Sequence, residues 1–214
     1  MNLFHRGHGL RRTAVVALIS AGALMAASPA MSASPHQVDP TTMTPALNPN
    51  FAPWSCFEAG TGITCQGDWE HSYHETAGFS CGGQDVWVAG GGREHMTRWH
   101  TSDGLATKTL VALNYPADVF ALTEDGSGTT VTVRGHWQRH YTYPIPGDLS
   151  ARVLTEIGAI YLVTASGSGN VLHDTGRVTF APGKDFDEIA EMKGVHEYYS
   201  DPAAFEQLVC DQLT

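Results

Sequence analysis

The chain has 214 residues, with twelve Lys and Arg against twenty-two Asp and Glu, a formal charge of −10. Such a surface repels phosphate backbones and anionic membranes, so nucleic-acid binding, which relies on basic side chains to release counterions, is disfavoured as a function. No apolar run reaches the ~20 residues that a membrane-spanning helix needs.

The first segment carries a targeting signal. Arg6, Arg11 and Arg12 lead into "TAVVALISAGALMAA", Thr13 to Ala27, and then into the small-residue run "SPAMSAS". This basic, apolar and small-residue order is that of a secretory signal peptide, assigned to residues 1–33. The expected destination is therefore outside the cell, and no cysteine near the cleavage region offers a lipid attachment point. Without this segment nine basic residues face twenty-two acidic ones, which favours solubility and leaves room for cationic ligands.

Residues 34–53, "SPHQVDPTTMTPALNPNFAP", are rich in Pro, Thr and Asn without apolar periodicity and read as a flexible leader. Residues 54–214 then form one domain of ordinary size. All four cysteines, Cys56, Cys65, Cys81 and Cys210, lie there. An even count in an exported chain predicts two disulfides, and three pairings are open.

The dominant period in this domain is two. "TTVTVRGHWQRHYTY", Thr129 to Tyr143, places Val131, Val133, Trp137 and Tyr141 on one face and Thr132, Arg134, His136, Gln138 and His140 on the other, the pattern of a half-buried strand. "LATKTLVALNY", "ARVLTEIGAIYLVTAS" and "VLHDTGRVTF" are similarly rich in β-formers. The clusters "TSDG", "NYPAD", "EDGSG", "PIPGD" and "SGSGN" punctuate these runs and are suited to hairpin turns. Strands at this spacing predict an all-β antiparallel barrel or sandwich. One helix closes the chain: in "DPAAFEQLVCDQL" Asp201 is the N-cap, Pro202 the first helical position, and Phe205, Leu208, Val209 and Leu213 the apolar face.

Histidines are the conspicuous functional residues. His136 and His140 share a strand face but stand about 13 Å apart at ~3.3 Å per residue. Zinc holds imidazole nitrogens at ~2.0–2.1 Å, so the pair is not a metal site by itself, and neither metal nor cofactor is expected. A site assembled from several strands stays open. In "HDTG" Asp174 follows His173, but strand neighbours point to opposite faces, so Asp174 is poorly placed to orient His173. Asp148 in "PGD" and His196 in "GVH" are loop-edge groups able to close around a ligand, with turn or cap roles as the plainer alternative. No G-x-S-x-G elbow, H-E-x-x-H, Walker loop or G-x-G-x-x-G follows a strand.

The series "SCGGQDVWV", "TRWHTSDG", "VRGHW", "PIPGD", "NVLHDTGRVTF" and "CDQL" resembles an uncharacterised family of small secreted actinobacterial proteins, over most of the chain from about Cys56. Those proteins are similar in organisation to the eight-stranded up-and-down barrels of allene oxide cyclases and lipocalins. The resemblance implies such a barrel with one C-terminal helix, and a pairing of Cys81 with Cys210 and of Cys56 with Cys65. It implies no catalytic residue, and "WEHSYHETAGF" departs from it.

Two functions fit. One is a secreted binding barrel whose lumen, lined by Val131, Val133, Trp137, Tyr141 and Tyr161, holds one small apolar or amphipathic ligand. The other is a barrel isomerase or cyclase in which His136, Asp148, His173, Asp174 or His196 moves protons. A barrel packed solid by its own side chains and acting only through its surface is a third.

Overall fold

The computed structural model describes residues 36–214; the expected signal peptide lies outside the described residues. Eight antiparallel strands follow one another in chain order within a single sheet: β1 (Ser55–Ala59), β2 (Gly62–Cys81), β3 (Gln84–Thr101), β4 (Ala106–Ala121), β5 (Thr130–Thr142), β6 (Val153–Ala165), β7 (Gly169–Phe180) and β8 (Ile189–His196). Each pairs with its sequence neighbour. Among the described residues no ladder joins β8 to β1, so the sheet is a meander with two edges. Two helices follow, α1 (Glu197–Ser200) and α2 (Pro202–Leu213). Asp201 accepts from the Ala204 amide at 3.3 Å, capping α2 as its sequence predicts. None of the described helices is long and apolar enough to cross a membrane.

The expected alternation holds along β5. Val131, Val133 and Trp137 are buried, whereas Arg134, His136 and Gln138 are exposed. One expected turn is not one. "NYPAD" lies inside β4, where the pairing with β5 slips between Tyr115 and Asp118, so Pro116 and Ala117 mark a bulge in a continuous long strand. "WEHSYHETAGF" belongs to β2 and lays Trp69, His71 and Tyr73 along one face.

Glycines let the sheet coil. Gly158, Gly176 and Gly194 stand opposite one another across β6, β7 and β8, next to Trp137, with φ of 136°, 138° and 122°. These are angles that L side chains rarely adopt. A Cβ on Gly176 would also meet the Lys193 carbonyl oxygen at 2.2 Å. The row therefore lets adjacent strands bend together where no side chain could stand.

Residues 36–53 differ from the expected flexible leader: they are packed. Val38 donates to the Cys56 carbonyl at 3.0 Å, and Ala106 donates to that of Thr44 at 2.8 Å. Gln37 bridges Phe57 and thereby covers part of the β1 edge. Short 3-10 turns at Pro40–Thr42 and Pro49–Phe51 are capped by Asp39 and Asn48. Phe51 is 2% exposed and plugs the inner face against Met96, Leu113 and Trp137. Burying one such ring is worth ~1.5–3 kcal/mol, which helps offset the entropy of ordering a Pro-rich strap. The buried Arg98 ties the strap down, donating to the Pro45 and Ala46 carbonyls at 2.9 and 3.3 Å and to Thr109 Oγ1 at 3.2 Å.

Two disulfides are present, Cys56 with Cys65 and Cys81 with Cys210. The first joins directly opposed residues of β1 and β2. The second fastens α2 to the end of β2, and Val209 and Leu213 of α2 pack with Val86, Val131, Val163 and Leu172. Phe51 thus fills one end of the inner face and α2 covers the other.

Beside the strap, His100 is 4% exposed, and burial together with the nearby Arg98 charge holds its imidazole down at about 4. The ring is neutral in the fold, whereas an unfolded histidine takes up a proton near 6.5. The unfolded chain therefore binds more protons as the pH falls through this window. Stability is full above about pH 6.5 and is lost towards pH 4, by ~3 kcal/mol from this residue. Urea unfolding of wild type and His100→Phe at pH 7 and pH 4.5 should show a smaller acid loss in the variant; equal losses would remove His100 from the account.

Candidate functional site

The interior between the Phe51 plug and α2 is not filled. Three cavities of about 460, 410 and 200 Å³ lie along the inner face, and Tyr161 lines all three. Tyr161 reaches this position through a bulge. The β6–β7 register slips between Ala159 and Tyr161, returning the tyrosine to the inner face opposite Asp174.

The largest cavity is built around a buried carboxylate. Glu156 is 1% exposed and stands directly opposite Arg139, whose Nε donates to Oε1 at 2.7 Å. Trp137 Nε1 donates to the same oxygen at 3.0 Å, and the Tyr199 hydroxyl donates to Oε2. Three donors satisfy the Glu156 carboxylate, and although burial lowers the Arg139 pKa, the contact with Glu156 more than offsets it and raises the guanidinium above its ordinary value. Arg139 also lies over the rings of Trp137 and Phe186, 5.5 and 5.2 Å from their centres.

A second network closes the site from β7 and β8. Asp174 and His196 stand opposite each other in register, fully or nearly fully buried, with Nδ1 and Oδ1 2.9 Å apart. The other ring nitrogen contacts the Lys193 carbonyl at 3.1 Å. Asp174 Oδ2 accepts from the amides of Tyr198 and Tyr199 at 3.1 and 3.3 Å and so caps α1. This arrangement orients Tyr198 and Tyr199, whose side chains line the cavity.

On the β2–β4 side, the Tyr115 hydroxyl donates to the buried Glu94 at 2.6 Å. Asp118, from the β4 bulge, separates the two smaller cavities. Its Oδ1 is buried and has no hydrogen-bond partner. Burial pushes this carboxyl up, opposed by Tyr73, the Gly91 amide and His71.

The structure sorts the sequence candidates. Val133, Trp137 and Tyr161 line cavities. Val131 is buried in the cluster under α2, and Tyr141 lies 4.7 Å from the Arg152 guanidinium; neither borders these three cavities. Asp174 and His196 come together, while His173 is exposed on the other face of β7 and His136 on the outer face of β5. Asp148 is a turn residue that accepts from the Ser150 amide and hydroxyl at 2.8 and 2.7 Å. His140 contacts the Gln138 amide oxygen at 3.0 Å. Among the described residues no group of three His, Cys, Asp or Glu side chains is placed to hold a metal.

Arg139, Glu156, Asp118 and the Tyr198–Tyr199 pair were not singled out by the sequence reading. For Arg139 a signal existed, since it shares the parity of Val133, Trp137 and Tyr141. Comparison with known protein families, curated proteins and solved structures finds no match. The geometry itself defines the class: an all-β protein with a polar-centred, aromatic-walled interior.

Proposed function

We propose that the protein is an exported eight-stranded barrel that binds one small amphipathic molecule in its lumen. The observation that carries this reading is the set of three cavities meeting at Tyr161, lined by inner-face side chains of β4, β5 and β6 and by the two helices. Their size suits a small ligand, and their aromatic walls with a few fixed polar groups are the usual composition of such pockets. The in-order meander, the coiling glycine row and the coverage of both ends support a barrel shape. The signal-like start of the sequence and the two disulfides support export. In this reading the likeness to lipocalin and allene oxide cyclase barrels extends to the shape of the lumen alone.

Binding is favoured over acid-base catalysis because the best-placed groups are already committed. Glu156 accepts three hydrogen bonds, and the Asp174–His196 pair is spent on the Lys193 carbonyl and the α1 cap. One observation favours a barrel isomerase as the second reading: Asp118 is a partly buried carboxyl that burial pushes up against the opposing groups around it, as a proton carrier would be.

Native mass spectrometry of the exported protein, set against the same sample denatured, tests the proposal. An added small-molecule mass that is lost on denaturation is expected. A clean mass, with no uptake of small molecules added to the purified protein, would overturn it.

A further inference from the structure

The cavity of about 410 Å³ differs from its neighbours in the charges that line it. Its walls carry six aromatic rings, Tyr73, Phe79, Phe120, Tyr161, Tyr198 and Phe205. Tyr161 and Tyr198 lie 4.4 Å apart between ring centres, and Phe205 lies 5.5 Å from Tyr198 and 6.0 Å from Phe120. The charged residues lining it are Glu75, Asp118 and Glu206, all acidic. Glu75 and Glu206 are exposed at the rim, from β2 and α2, and Asp118 lies deeper.

Asp118 is built into this position. Gly90 makes room for it, since a Cβ there would stand 2.0 Å from Asp118 Oδ1. That oxygen is buried without a partner. The 200 Å³ cavity on the other side of Asp118 is lined by Arg134 and Arg139. Arg139 is held by Glu156, and the groups acting on Asp118 are Tyr73, Gly91 and His71, so neither arginine neutralises it. A ligand anion would meet three carboxylates and no cation. A neutral apolar ligand would cover Asp118 Oδ1 without giving it a partner, which is costly.

We propose that this cavity takes an organic cation, a protonated or quaternary amine on an apolar or aromatic body, with its charge against Asp118 and its body among the tyrosine and phenylalanine rings. The rings contribute their negative faces and the carboxylate a counter-charge in a site of low dielectric. The acidic excess of the whole chain draws such ligands to the rim, where Glu75 and Glu206 stand. This assignment rests on the lumen-binding reading and specifies the chemistry of its ligand.

The test is isothermal titration of the purified protein with three matched probes: phenylpropylammonium, phenylpropanol and phenylpropanoate. The ammonium is expected to bind at least about tenfold more tightly than the alcohol, with the carboxylate weakest. Asp118→Asn, shown to be folded by its thermal transition, should weaken the ammonium about tenfold and leave the alcohol within about twofold. Equal affinity for ammonium and alcohol, preference for the carboxylate, or an unaffected Asp118→Asn would overturn the cation assignment while leaving lumen binding in place. No binding of any of the three would remove both. If Asp118→Asn does not fold, the order of the three probes on the wild-type protein decides.

Discussion

Glu156→Ala is expected to destabilise the fold by about 3–5 kcal/mol, the usual cost of removing one partner of a buried ion pair. The side chain is 1% exposed and satisfies Arg139, Trp137 and Tyr199 together. Its loss leaves the partly buried Arg139 guanidinium without its counter-charge and an indole N–H and a phenol without acceptors. Tyr199 is also the link from β6 to α1, so one wall of the largest cavity loosens. Urea unfolding measures the loss. The double variant Arg139→Met/Glu156→Leu sharpens the test, because replacing both charges with apolar groups of similar size should recover most of the stability. If Glu156→Ala alone costs under about 1 kcal/mol, the network is not a stability element and the interior is wetter than its geometry implies.

Removing the Cys81–Cys210 bridge is the second large effect. The two cysteines are 129 residues apart in sequence, against 9 for Cys56 and Cys65. Loop-closure entropy then predicts a loss of ~5 kcal/mol for the long bridge and ~3 kcal/mol for the short one. The Cys81→Ser/Cys210→Ser variant should also raise amide exchange in α2 before the sheet is affected, since the helix loses its tether but keeps only the packing of residues such as Val209 and Leu213. Comparing melting of the two double variants checks the order. An equal or reversed order would show that strain or structure in the unfolded chain outweighs loop length.

Both variants also act on the walls of the cavities. Phe205 of α2 lines the acidic cavity, and Tyr198 and Tyr199 of α1 line the largest one. The helices are therefore walls of the interior as well as its cover. α2 is held to the sheet by its disulfide and its apolar packing, and α1 by Asp174, by Tyr199 on Glu156 and by Glu197, which accepts from the His173 amide at 3.0 Å.

Sequence by itself determined the elements whose signals are local. Alternation along Thr129 to Tyr143 assigns β5 and its buried face, because side-chain direction in a strand depends only on parity. Asp201 and Pro202 mark the start of α2 because caps act within one turn. Tertiary structure decided whatever depends on register. The bulge at Tyr115–Asp118 turns an apparent hairpin into a long strand and carries Asp118 to the border of two cavities. Asp174 meets His196, 22 residues on, only because β7 and β8 pair with those two residues opposed. Arg139 finds Glu156 in the same way across β5 and β6. The Pro-rich strap reads as flexible since its composition lacks periodicity, yet Arg98 and the gap that Phe51 fills give it partners no local pattern announces. Parity is a property of one strand, whereas register belongs to a pair of strands, and a site built from cross-strand pairs exists only once register is set.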